Sequence, residues 1–147
     1  MEEHGPHSGK KRKLNDEDVD GHSAQLRETC RRGQIIARRA INVSQESILV
    51  ARSFLAAISE PNIDVQDIAT AASNLTVAVR NLATAARNAK VFTRDMQGID
   101  GNIDKVIREN YLHMTLMFRE ATRALATAAL EIQNCIQESL SFAKCGA

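Results

Sequence analysis

Lys10, Lys11, Arg12 and Lys13 form an unbroken run of four cations, with Asp16, Glu17, Asp18 and Asp20 following directly behind it. Such a run has two chemical uses. It can neutralise phosphates along a nucleic acid, or it can lie extended in a receptor groove that reads cations one by one, as in nuclear import. The acidic block beside it repels a phosphate backbone. A nuclear-import address is therefore expected, with a merely solvating charge run as the plainer alternative.

A second group of cations follows at helical spacing. Arg27, Arg31 and Arg38 fall within about forty degrees of one another on a helical wheel, with Arg32 and Arg39 flanking the apolar sector. They could form a basic strip for phosphate or for an acidic partner. No aromatic residues interleave for base stacking, so a solvated face is the expectation and direct nucleic-acid contact is not.

The residues that could do catalysis or bind metal give little. His113 is the one histidine outside residues 1–22, and it reads as a surface or half-buried side chain rather than a general base. His4, His7 and His22 lack metal-ligand spacing, as do Cys30, Cys135 and Cys145. Two of these cysteines are expected in the core and Cys145 as a loose thiol. Gly98 and Gly101 lack the order of a phosphate-binding loop and read as a turn. The sequons at Asn42 and Asn74 read as chance matches, since no secretory signal is recognisable. No catalytic residue, metal or cofactor is expected, and no apolar run is long enough to span a membrane.

The elements that hold these residues are helices. Apolar residues make up 44% of the chain but aromatic ones only 3%, a composition that favours long helices over sheet. Residues 1–22 have almost no apolar side chains and are expected to form a disordered tail; residues 23–147 form the helical domain. Ser23 is a candidate N-cap, and breaks at Glu60-Pro61-Asn62 and Gly98–Gly101 predict helices over about 24–59, 64–96 and 103–143. Val65, Ile68, Ala72, Leu75, Val79, Leu82, Ala86 and Ala89 mark the buried stripe of the second helix. Ile107, Tyr111, Met114, Phe118, Ala121, Leu125, Ala128, Ile132 and Cys135 mark that of the third.

The first helix has a wider sector, with Ile36, Val43, Val50 and Phe54 on one line and Ile41, Ile48 and Leu55 on another. It is expected to touch both other helices. The short connections predict an all-α, elongated, up-down-up antiparallel three-helix bundle or coiled coil. Leu112, Leu116 and Leu130 point away from the stripe of the third helix and are candidates for a partner surface.

The segment LRETCRRGQIIARRAINVSQESILVARSFLAAISEPN, residues 26–62, resembles the N-terminal helix of the Mediator complex subunit 30 family. The likeness rests on Cys30-Arg31-x-Gly33-Gln34, on the apolar spacing after it and on a helix ending at a Pro-Asn turn. It covers about a quarter of the chain, and the Ala-rich second helix departs from that pattern. The resemblance implies a nuclear scaffold subunit of a transcriptional coactivator, packing against other helical subunits and carrying out no reaction. A DNA- or chromatin-binding module using the five arginines, and a self-associating coiled-coil protein, are the competing expectations. The expected partners are helical subunits of a nuclear complex and an import receptor.

Overall fold

The computed structural model describes the backbone of residues 4–97 and 105–145, and the side chains of residue 21 and of residues 23–97 and 105–144. Three helices account for nearly all of it: α1 His4–Ile58, α2 Val65–Met96 and α3 Lys105–Cys145. No strand occurs among the described residues. The expected turn at Gly98–Gly101 lies outside them.

α1 is longer than the sequence predicts. Its backbone is helical from His4, so Ser23 sits inside the helix and caps nothing. The side chains of residues 4–20, where a disordered tail is expected from the sequence, fall outside the described residues. Local hydrogen bonding does not need burial: Pro6 stands in the first turn, where its missing N–H costs nothing, and no Gly or Pro interrupts Lys10 to Asp20. At 1.5 Å per residue, the 55 residues of α1 span about 80 Å.

The ends of the helices near Pro61 follow the expected chemistry. Ser59 N–H donates to the Leu55 carbonyl at 3.0 Å and Glu60 N–H to that of Ala57 at 3.3 Å, after which Pro61 cannot continue the ladder. α2 then starts behind Asp64, whose extended backbone and side-chain oxygen, 3.3 Å from the Gln66 N–H, make it the N-cap.

α1 packs against both α2 and α3, whose own backbones seldom come close to each other. What lies at its centre is a row of small residues. Cys30, Gly33, Ala37, Ala40, Ser44, Ser47 and Ala51 alternate spacings of four and three, and all are buried. Ile36, Val43, Val50 and Phe54, with Ile41, Ile48 and Leu55, are half-buried flanks on either side of that row. The two serines fit because their hydroxyls are satisfied: Ser44 Oγ donates to the Ala40 carbonyl at 2.7 Å, and Ser47 Oγ reaches the Ala78 carbonyl of α2 at 3.4 Å.

The stripe of α3 is as expected, every one of its nine positions being buried or half-buried. That of α2 is rotated. Leu75, Leu82 and Ala89 are buried, but Val79 and Ala86 face outward and Val65 is exposed; Ala78 and Ala85 take their places. The reason is steric: a small side chain at 78 lets the α2 backbone come within reach of Ser47, whereas the branched Val79 at that spot would hold it off.

Three clusters fill the interior along α1. One joins Ala51, Leu75, Leu82, Ala128, Ile132 and Cys135; the next joins Ala37, Ala40, Ala85 and Ala121. The third holds Cys30, Met96 and Met114 with Phe92, Tyr111 and Phe118 around them, the Phe92 and Phe118 rings stacking at 5.3 Å. Gly33 lies beneath this last group, and a Cβ there would sit 2.7 Å from the Phe92 ring and against the Met114 sulfur.

Candidate interaction surface

Among the described residues, no group of His, Cys, Asp and Glu could hold a metal ion. His113 is exposed on α3; Glu109 stands one turn before it and forms no hydrogen bond or ion pair with it. Among the described residues one ion pair joins two helices: Arg52 Nε to Glu131 Oε1 at 2.9 Å, partly exposed, ties α1 to α3. An exposed pair of this kind contributes about 1 kcal/mol or less. No helix is long and apolar enough, among the described residues, to cross a membrane.

Cys30 and Cys135 are both buried free thiols, as the sequence predicts, and the side chain of Cys145 lies outside the described residues. Burial pushes both thiols up, and at Cys135 the neighbouring carboxylates Glu131 and Glu138 add to the effect while Arg52 opposes it. Iodoacetamide at about pH 8.5 is therefore expected to label both positions at least about tenfold more slowly in the folded chain than in urea, with peptide mass spectrometry reading each site. The sign for stability follows. While both states keep the proton, pH has no effect through these groups; as pH climbs past about 8.5 only the unfolded chain ionises, and stability falls.

The outward face of α1 carries Arg27, Arg31, Arg32, Arg38 and Arg39, all exposed. Arg31 is occupied within the helix. Its guanidinium donates to both oxygens of Glu28, at 2.7 and 3.1 Å, and holds that carboxyl below its ordinary pKa. Arg38 and Arg39 make no ion pair with any described residue. The import run Lys10, Lys11, Arg12 and Lys13 lies on the helical backbone of α1, but its side chains fall outside the described residues.

Beside these arginines runs a groove between α1 and α2 that the sequence does not announce. Its floor is Val43, Val50, Phe54 and Ala78, its edges are Leu49 and Val77, and its rim is neutral, set by Asn74 and Asn81, apart from Glu46. Leu49 is 63% exposed and Val77 49%. A shallower depression on α1 alone, lined by Ile35, Arg38, Arg39 and Asn42, shares Val43 and Glu46 with it, so the two adjoin. The only sequence signal was indirect: Leu49 and Val77 fall off the buried stripes of their helices.

Leu112, Leu116 and Leu130 stand on the outside of α3, the first and last 59% exposed. They are brought together on one face as expected, but on a different surface from the groove. Arg119 and Arg123 share that face, Arg119 three residues after Leu116 and Arg123 seven residues from both Leu116 and Leu130. The outside of the molecule thus has apolar residues beside unpaired cations in two places. Compared with known protein families, with curated proteins and with solved structures, the chain gives no match.

Proposed function

We propose that this chain is a non-enzymatic helical subunit of a nuclear multiprotein complex, a scaffold in transcriptional coregulation akin to the Mediator family that residues 26–62 resemble. The observation that carries the reading is an inversion of side-chain size. From Cys30 to Ala51 the buried row of α1 is made of Gly, Ala, Ser and Cys, with Leu26 one turn before it the one large buried side chain described on that helix, while Leu49, Val77, Leu112, Leu116 and Leu130 remain outside. Small residues draw the helices close but bury little apolar area, roughly 25 cal/mol for each Å². Large exposed side chains hold the remaining area in reserve for other chains.

In this reading the helices run up, down and up. Support comes from the order of their meetings: Gly33 lies near Phe92 and Ser47 near Ala78, whereas Gly33 lies near Met114 and Arg52 near Glu131. The import run at Lys10–Lys13 serves delivery to the nucleus. A tagged full chain in cells is the test. It is expected in the nuclear fraction, eluting with other proteins at a size far above its own 16.2 kDa, and alanines at Lys10, Lys11, Arg12 and Lys13 are expected to shift it to the cytoplasm. A lone 16.2 kDa species in the cytoplasm overturns the reading.

A further inference from the structure

We propose that the groove between α1 and α2 binds one amphipathic helix of a different protein, with acidic side chains at its Arg38/Arg39 end. The proposal deepens the subunit reading above and rests on it.

Shape comes first. From Phe54 to Val43 the groove lies between α1 and α2, and beyond Val43 a depression lined by α1 alone carries the surface on to Ile35, twenty residues and about 28 Å or five turns in all. Its floor is apolar between Val43 and Phe54, Ile35 is the further apolar residue at the arginine end, and its rim is largely polar. That is the arrangement that receives the apolar stripe of a helix, with anchors at three- and four-residue spacing. A groove for an extended strand would need free backbone groups along its wall, and helices α1 and α2 satisfy theirs internally.

Charge then decides the occupant. Arg38 and Arg39 stand at one end with Glu46 as the only anion among the described lining residues, and neither arginine pairs with a described residue. Carboxylates on the incoming helix complement that end, and Glu46, two turns further along, favours a cation or neutral side chain there. A second copy of this chain fits poorly. Its best exposed apolar face, Leu112, Leu116 and Leu130, carries Arg119 and Arg123 between Leu116 and Leu130, with Glu109 and Glu120 only at its edge, and would set cation against cation along its middle. Its acidic block at Asp16–Asp20 has only Leu14 and Val19 as apolar residues nearby, too few to fill five turns of floor. The occupant is therefore a partner with an acidic amphipathic helix.

The experiment introduces photoreactive p-benzoylphenylalanine at Val77 of the full chain, irradiates nuclear extract and sequences the attached peptide. One peptide is expected, with apolar residues at three- and four-residue spacing and more Asp and Glu than Lys and Arg. Its yield should drop at least about tenfold when Leu49→Glu or the pair Arg38→Glu/Arg39→Glu is added, and stay level with Gln133→Glu, an exposed α3 position outside the groove. These positions are exposed, so circular dichroism should show the variants folded. A peptide from a second copy of this chain, a basic or non-amphipathic peptide, or a yield indifferent to Leu49→Glu overturns the proposal. A chain that enters a large nuclear complex yet captures nothing at position 77 also overturns it, and leaves the subunit reading standing. A chain found alone removes both.

Discussion

Replacing Gly33 by leucine is expected to cost about 3 kcal/mol or more and to loosen the end of the molecule where Cys30, Met96 and Met114 meet. A single added carbon already reaches the limit. It would lie 2.7 Å from two atoms of the Phe92 ring, closer than carbon atoms pack, and against the Met114 sulfur. Met114 can swing its thioether aside, since methionine is unbranched and flexible. Phe92 has less room to move, because its ring is stacked within 2° of parallel on Phe118.

Alanine at 33 brings two opposed effects. It favours the helix by roughly 1 kcal/mol over glycine, while overpacking costs about 1 to 3 kcal/mol. A net loss of up to about 2 kcal/mol is expected, small beside the leucine variant. Urea denaturation followed by circular dichroism reads both as a lower midpoint at unchanged slope. Gly33→Ala in a Phe92→Leu background should cost less than in the parent, since the shorter side chain vacates the disputed space. A midpoint that rises with Gly33→Ala in the parent chain would show that the helices are not held this close.

Gly33 also marks the boundary between what the residue pattern discloses and what it hides. On α3 the side chains that face inward are large and apolar at heptad spacing, and all nine were legible. On α1 the inward row is Cys30, Gly33, Ala37, Ala40, Ser44, Ser47 and Ala51, which keeps the same period in small and partly polar residues. Reading for bulk picks out the flanks, Ile36, Val43, Val50, Ile41 and Ile48, and leaves the centre unseen. The serines mislead most: Ser44 can satisfy its hydroxyl within α1, on the Ala40 carbonyl one turn back, but Ser47 bonds to the Ala78 carbonyl of α2, a partner that appears only once the helices are assembled. The candidate groove was hidden for the same reason. Leu49 and Val77 are ordinary exposed residues until the rotation of α2 sets them on either side of one floor. The two surfaces that were legible, the arginines of α1 and the leucines of α3, depend only on the face of a single helix.

Truncating Leu82 to alanine is expected to cost about 2 to 5 kcal/mol. Leu82 belongs to the cluster that holds Ala51, Leu75, Ala128, Ile132 and Cys135, where Leu75 and Ile132 are the other large fully buried side chains. Ala51 and Ala128, neither of them exposed at all, have no rotamer with which to reach into a hole, so only the half-buried flanks of the cluster, Phe54, Leu55 and Leu125 among them, can lean in. The part of the cavity they leave open adds its cost to the lost burial. Val79→Ala is the matching control. The period of α2 read from sequence alone gives Val79 and Leu82 equal standing on one stripe, so it predicts comparable losses. In the folded chain Val79 is 41% exposed and its place is taken by Ala78, so its truncation should cost less than about 1 kcal/mol. Two urea curves separate the alternatives. A Val79→Ala loss as large as that of Leu82→Ala would mean that α2 turns its 79 face inward, and that the Ser47–Ala78 approach, and with it the groove beside Val77, does not form.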